Sequence, residues 1–434
     1  MARQKVPAGL PIRIAAAERL RKVLGGARFE PITAAELGEG RDRALANRLV
    51  TTALRRRGHI DQIISELLER GIPGKSGGFE AILRLALAQL VYLPEIGAHS
   101  AVFLAVEALK RDPKGQHLRG LLNAVLRRAQ TNAARYWTLP GALLIPRSLS
   151  ERWTDAYGAS AVERFSQALL EGAPLDLTLK DEDPELVAAV GATPVMADTV
   201  RVTTRERAVE DLPGFSEGRW WVQDAAAAIP ARLLKLPAGA RVLDLCAAPG
   251  GKTAQLCKAD YHVTAVDSDA ARLERVRSNL DRLGYAAELV AADAGAFRPD
   301  QPVDAILLDA PCSATGTFRR HPEVLWAPSS GAPGNRVALQ RTLLENAVEV
   351  LRPEGVLVYC VCSLEPEEGE EQAGWALANL QLAADPIQPA ELPELAEAVS
   401  PEGWVRTHPG LVAPGPAGGT LDGFFVARFR KRPA

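Results

Sequence analysis

The chain has 434 residues, 47% of them hydrophobic and 24% charged, and its formal net charge is -2. At roughly 150 residues per domain this length suits two or three globular domains, and the composition excludes a mostly disordered chain. No run approaches the roughly 18 apolar residues of a membrane span. Charges run through residues 1–20, which lack a signal-peptide core, so a soluble cytoplasmic protein is expected.

The net charge hides an asymmetry. Residues 1–135 carry 23 Lys+Arg against 12 Asp+Glu, a balance of +11, and the remainder carries -13. A basic first third points to a polyanion such as nucleic acid. The same stretch reads as helix after helix. ISELLERG, FEAILRLALAQLVYL, SAVFLAVEALKR and LRGLLNAVLRRAQ all place apolar residues three and four apart. Arg55-Arg56-Arg57 and Arg127-Arg128 fall at helix ends, where they are either solvated termini or RNA contacts. Residues 1–138 are expected to form an all-helical domain. Residues 139–230, broken by Pro140, Pro146 and Pro174, are expected to form a small α+β connecting domain.

From Arg241 the pattern changes to near-continuous apolar strands separated by helices: RVLDLC, HVTAVD, AELVAAD, VDAILLD and GVLVYCVC. That alternation predicts a parallel sheet covered on both faces, a doubly wound α/β domain over 231–434. The Pro/Gly-rich stretches 327–335 and 409–419 read as loops.

The first strand of this domain runs into Cys246-Ala247-Ala248-Pro249-Gly250-Gly251-Lys252-Thr253. A Gly-rich turn there lets a ligand approach the backbone and meet helix N-terminal amides. A phosphate-binding G-x-x-x-x-G-K-[ST] loop is a near miss, because Cys246 stands where its first glycine belongs. A G-x-G-x-x-G fingerprint is absent. Asp267 lies 23 residues after Asp244 and closes the second strand, near the spacing of a ribose-binding acid. Asp293 and Asp309 close the next two strands, so three acids line one crevice. S-adenosylmethionine suits such a site: it carries a ribose diol, an adenine amine and a sulfonium, and no phosphate.

Two cysteines follow strand ends in the same crevice, Cys312 and Cys362. Thiols there suit covalent catalysis on a pyrimidine. Carbon 5 of cytosine is a poor nucleophile until a thiolate adds to carbon 6, and a base must then remove the carbon-5 proton so that the thiol can leave. Cys246, Cys257 and Cys360 read as small buried hydrophobes. No CxxC occurs and the six histidines are scattered, so no metal site is expected.

These residues carry a family resemblance. LDLCAAPGGKT, LLDAPCSATGTFRRHPEVLW, YCVCSLEPEEGEEQ and the late DGFF strand resemble the RNA cytosine-5 methyltransferases of the Sun (Fmu) class. RDRALANRLV, LALAQLVYL and LLNAVLRRA are similar to a NusB-type domain, and the pairing resembles the bacterial 16S ribosomal RNA methyltransferase B family. Gln223-Asp224, just before the sheet, matches that family's entry helix. The resemblance implies a NusB-like all-α domain, an α+β connecting domain and a Rossmann-like S-adenosylmethionine-dependent methyltransferase domain. It implies that Cys246, Ala247, Ala248, Pro249, Gly250, Gly251 and Lys252 surround the cofactor, that Asp267 takes the ribose hydroxyls and Asp293 the adenine end. Asp309 would border the cofactor and contact the target cytosine, Cys362 would be the nucleophile, and Cys312 would help release product. The implied partner is 16S ribosomal RNA or a small-subunit assembly intermediate, met by a monomer. Another RNA such as tRNA, and a non-catalytic ribosome-assembly role, are the alternatives. Two positions depart from the family: Val361 precedes the second thiol where Thr is usual, and Leu177-Thr178-Leu179-Lys180 replaces an Arg-Val-Asn-like segment.

Overall fold

The computed structural model describes residues 6–38, 40–203, 208–327 and 334–433. It resolves into two compact units. The first comprises Met1–Asp155, Leu169–Glu171 and Arg320–Pro328, and the second comprises Ala156–Ala168, Gly172–Arg319 and Ser329–Ala434.

The first unit is helical: α1 (Leu10–Leu24), α2 (Gly40–Arg55), α3 (Arg57–Leu67), α4 (Phe79–Tyr92), α5 (Ala98–Lys110), α6 (Arg119–Thr131) and α7 (Ala133–Trp137). Helix α4 is apolar on nearly every side, and 13 of its residues are buried. A helix of that kind belongs at a bundle centre, and α1, α2, α5, α6 and α7 all pack against it. Gly58 is required where α3 meets residues 141–144, since a Cβ there would stand 1.7 Å from the Leu143 carbonyl oxygen.

The arginine cluster is structural in part. The Arg56 guanidinium lies 4.5 Å over the Tyr92 ring, and Arg57 lies 4.8 Å over Trp326. Burial lowers the pKa of both, with neighbouring charges secondary. Arg56 and Arg57 thus stack on aromatic rings within this unit rather than standing as fully solvated helix termini. Arg127 and Arg128 are exposed and pair with no carboxylate among the described residues. Helices α8 (Arg147–Tyr157) and α9 (Ala159–Glu171) follow.

The second unit holds two sheets. The smaller has four antiparallel strands in the order β2-β3-β1-β4: β1 (Leu175–Leu179), β2 (Ala192–Met196), β3 (Thr199–Val202) and β4 (Trp220–Val222). Between β1 and β2 runs α10 (Pro184–Val190), capped by the Asp183 carboxylate. A buried pair ties this sheet internally, with Arg201 Nε 2.7 Å and Nη2 2.8 Å from the two Asp176 oxygens.

The larger sheet contains β5 (Arg241–Leu245), β6 (His262–Asp267), β7 (Glu288–Ala291), β8 (Val303–Asp309), β9 (Leu351–Val361), β10 (Leu382–Ala384), β11 (Val405–Thr407) and β12 (Phe424–Lys431). Its order is β10-β12-β9-β8-β5-β6-β7, with β11 on β12. Three helices connect strands of its parallel part, α12 (Gly251–Lys258), α13 (Ala270–Leu283) and α14 (Gly334–Val350); α11 (Ile229–Arg232) leads in and α15 (Glu370–Asn379) follows β9. The five strands read from the sequence run parallel as expected. The sheet as a whole is mixed, because β12 inserts antiparallel beside β9 and carries β10 and β11. An all-parallel sheet is thus corrected at one edge: β12 turns back antiparallel on β11 and enters between β9 and β10, a return that needs no helical crossover. The predicted loop 327–335 falls largely on residues 328–333, outside the described residues.

Candidate active site

The cofactor turn is built by β5, β6 and the start of α12. Cys246 takes a left-handed backbone (φ 63°), and Gly250, at φ 98°, begins the helix. A side chain on Gly250 would press its Cβ to 2.9 Å from Val276. The turn is pinned from β6. The Asp267 carboxylate is buried and accepts the Ala248 N–H and the Asp269 N–H, both at 3.1 Å, with Arg272 Nη1 at 3.4 Å. Arg272 also donates to the Ala248 carbonyl at 2.9 Å. Asp293 is exposed at the end of β7 and accepts the Gly295 N–H at 2.9 Å.

The GKT residues are turned inward. The Thr253 hydroxyl donates to Asp244 at 2.6 Å, and Lys252 Nζ donates to Asp309 at 2.7 Å. Neither is left to grip a phosphate, and four carboxylates at the strand ends would repel one. Carboxylates accept hydroxyl hydrogens, so the same set fits a ribose-bearing, phosphate-free cofactor. Asp244 is buried and its Oδ1 has no hydrogen-bond partner among the described residues. Burial pushes its carboxyl up to about 7.

Lys252 is nearly buried and reaches Asp309 from α12 across β5 to β8. Burial disfavours its ammonium, but Asp309 together with the nearby Cys360 and Cys362 outweighs that and the pKa rises. The ammonium also lies 5.2 Å over the Phe424 ring. Asp309 pairs in register with Cys360 of β9. The Cys360 thiol is fully buried and donates to Asp309 Oδ1 at 3.6 Å. Burial first, then Asp309, raises its pKa well above the thiol range, so it stays protonated.

Cys312 and Cys362, 50 residues apart, meet with their sulfurs 3.5 Å apart. Both are partly exposed. The hydrogen bond to Cys362, followed by burial, raises the Cys312 pKa well above the ordinary value. A protonated Cys312 can donate to a Cys362 thiolate. The loops carrying the two thiols interlock: the Gly316 N–H donates to the Cys362 carbonyl at 3.0 Å, and the Gly423 N–H donates to the Gly316 carbonyl at 2.8 Å. A Cβ on Gly316 would stand 2.0 Å from the Gly423 oxygen, so only glycine fits.

The structure thus brings together Lys252, Asp309, Cys360, Cys312 and Cys362. Asp267 and residues 246–250 form the adjoining turn, and Asp293 stands at the exposed end of β7. The Gln223 amide joins the smaller sheet to α12: it accepts from Thr178 Oγ1 at 3.0 Å and Trp221 Nε1 at 2.9 Å, and donates to Gln255 at 2.8 Å. Sequence reading passed over the Cys360 contact, Phe424 and the buried acid Glu368. Glu368 lies in a run holding Glu365, Glu367, Glu370 and Glu371, and nothing in such a run marks Glu365 and Glu368 as the two that are buried.

Comparison with known proteins agrees with this geometry. Residues 231–430 match the model of the 16S rRNA methyltransferase RsmB/F family, and residues 12–131 match the NusB family. The ribosomal RNA small subunit methyltransferase B of Xanthomonas campestris is 38% identical over 403 residues, covering 89% of this chain and 91% of that protein. The Vibrio cholerae protein of the same name is 34% identical, covering 87% of this chain and 92% of that protein. A crystallised methyltransferase homolog from Pyrococcus horikoshii is 29% identical with a TM-score of 0.52, covering 65% of this chain and 93% of its own. With two relatives above a third identical along nine-tenths of their length, this chain belongs to the RsmB/F family of 16S rRNA methyltransferases and carries a NusB-family domain ahead of the methyltransferase domain.

Proposed function

We propose that the protein transfers a methyl group from S-adenosylmethionine to carbon 5 of a cytosine in 16S ribosomal RNA through a covalent Cys362–cytosine adduct. The observation that carries this reading is the pair of thiols 3.5 Å apart beside the Lys252–Asp309 pair. Residues 246–252 would hold S-adenosylmethionine, with Asp267 taking its ribose hydroxyls and Asp293 its adenine end, and the bound cofactor would supply an electrophilic methyl group. Cys362, as thiolate, adds to carbon 6 and makes carbon 5 enamine-like. Asp309, held by Lys252, accepts from the cytosine amine and steadies the base. Bonding of the Cys362 sulfur to carbon 6 removes the hydrogen bond that leads in keeping Cys312 protonated, so Cys312 gives its thiol proton to water. After methylation the Cys312 thiolate takes the carbon-5 proton, the electrons of that C–H bond reform the double bond, and the Cys362–carbon-6 bond breaks, returning Cys362 as thiolate. The target base must leave its stack to reach the thiols, so it lies in a loop or an accessible strand.

Exposed Arg127 and Arg128 on α6 support RNA binding by the NusB-like part, residues 1–138. Residues 139–230 serve as the connecting domain and residues 231–434 as the catalytic one, working as a cytoplasmic monomer. The two thiols separate in one experiment. Cys312→Ala accumulates a protein–RNA adduct that survives denaturing electrophoresis, and Cys362→Ala gives no adduct and no methyl transfer. The reverse pattern exchanges the roles, and activity in both variants removes the covalent mechanism. Bisulfite sequencing of rRNA from a deletion strain identifies the nucleotide and separates rRNA from tRNA as substrate.

A further inference from the structure

Each thiol is followed by a serine, Ser313 after Cys312 and Ser363 after Cys362. Both serines turn inward to one group, the carboxylate of Glu368, which is fully buried. The Ser313 N–H reaches its two oxygens at 3.0 and 3.1 Å. The Ser313 and Ser363 hydroxyls each donate to Glu368 Oε2 at 2.6 Å. Gln340 Nε2 of α14 donates to Oε1 at 3.3 Å. The two serine oxygens are themselves 2.9 Å apart, and Thr315 Oγ1 lies 3.2 and 3.4 Å from them while accepting the Leu364 N–H at 3.0 Å. The Tyr359 hydroxyl fixes the backbone of Glu368 by donating to its carbonyl at 2.6 Å.

No Lys or Arg forms an ion pair with Glu368 among the described residues. A buried charge without a cation is costly unless hydrogen bonds satisfy it. Here four donors converge on it, and three of them belong to the residues next to the thiols. An acceptor-only group suits that arrangement, because an amide in either orientation would aim its N–H groups at the Ser313 backbone N–H or at the Gln340 amide N–H as well.

We propose that Glu368 is a positioning residue for methyl transfer, its carboxylate clamping the Cys312 loop to the Cys362 loop and so setting the distance between the two sulfurs. This rests on the reading of those thiols as the reacting pair. The clamp also acts electrostatically, since the Glu368 charge is among the influences that keep Cys312 protonated, after its hydrogen bond to Cys362 and its burial.

The test is steady-state methylation by the full chain, with tritiated S-adenosylmethionine and 16S RNA. Glu368→Gln is expected to lower kcat about 100-fold, the scale of a 1 Å misplacement of reacting groups, with both KM values within about twofold. Glu368→Asp, which keeps the acceptors, recovers part of the loss. Mass spectrometry of iodoacetamide labelling should show Cys312 alkylated at lower pH in Glu368→Gln than in the parent, because a negative charge has gone. Wild-type kcat in folded Glu368→Gln overturns the proposal. Should that variant not fold, Ser363→Ala, which removes one arm of the clamp, is expected to lower kcat about tenfold, and unchanged kcat there overturns it equally. Cys362→Ala is measured alongside. If it is active, the reading of the thiols fails; if it is inactive while Glu368→Gln is fully active, only the clamp fails.

Discussion

Lys252→Met tests the pair at the centre of the site. The substitution keeps the length and apolar stem of the side chain and removes the ammonium 2.7 Å from Asp309. The Lys252 side chain is 10% exposed and that of Asp309 27%. Removing one member of a buried pair costs about 3–5 kcal/mol, because the other charge is left uncompensated. Water can reach part of Asp309, and the Cys360 thiol remains as a weak donor at 3.6 Å. Those two facts lower the expectation to about 2–3 kcal/mol. Asp309→Asn alone leaves the ammonium buried and costs a similar amount. The double variant leaves no charge behind, so it should be more stable than the sum of the singles by about 1–2 kcal/mol. Equilibrium urea unfolding of the four proteins closes the cycle. Additive losses, or a Lys252→Met midpoint equal to that of the parent, would refute the pair as a stabilising unit. All three variants should lose methyl transfer whatever their stability.

Three further expectations follow from named contacts. Asp267→Asn removes the charge that anchors the Ala248 and Asp269 amides. A charge-assisted contact is worth about 1.5–3 kcal/mol, so calorimetry on the folded variant should show S-adenosylmethionine affinity down about tenfold or more; unchanged affinity takes Asp267 out of the site. His408 packs against Tyr157 and Phe165, and its Nδ1 accepts the Gly410 N–H at 3.1 Å. Burial, then Arg406 and Arg164, push its pKa down to about 4. The folded imidazole therefore stays neutral where the unfolded one takes up a proton. Its contribution is complete above about pH 6.5 and is lost as pH falls toward 4, by up to about 3 kcal/mol. His408→Phe should flatten the stability profile in that window, and an unaltered slope speaks against it. Arg127→Gln/Arg128→Gln in the full chain should weaken RNA binding and lower the salt slope by up to about 1.4, at about 0.7 per phosphate contact on single strands. A slope equal to that of the parent excludes both from the RNA interface.

Much of the molecule was legible along the chain because its signals are local. The helical period of α4–α6, the strand ends at Asp244, Asp267 and Asp309, and the turn of residues 246–252 each depend on neighbours within a few residues, and each stands where the sequence places it. The antiparallel edge, the stacking of Arg56 and Arg57, and the meeting of Cys312 with Cys362 could not be read that way. They depend on which strand enters beside β9, which ring lies under a guanidinium, and how two loops 50 residues apart interlock through Gly316 and Gly423. Glu368 shows the division most clearly. The chain displays it as one acid in a run of five between Glu365 and Glu371. Only packing decides which of them lose water, since burial is a property of the folded surroundings, and a carboxylate can be buried only where donors already wait. For Glu368 those donors are brought by β8, β9 and α14 together.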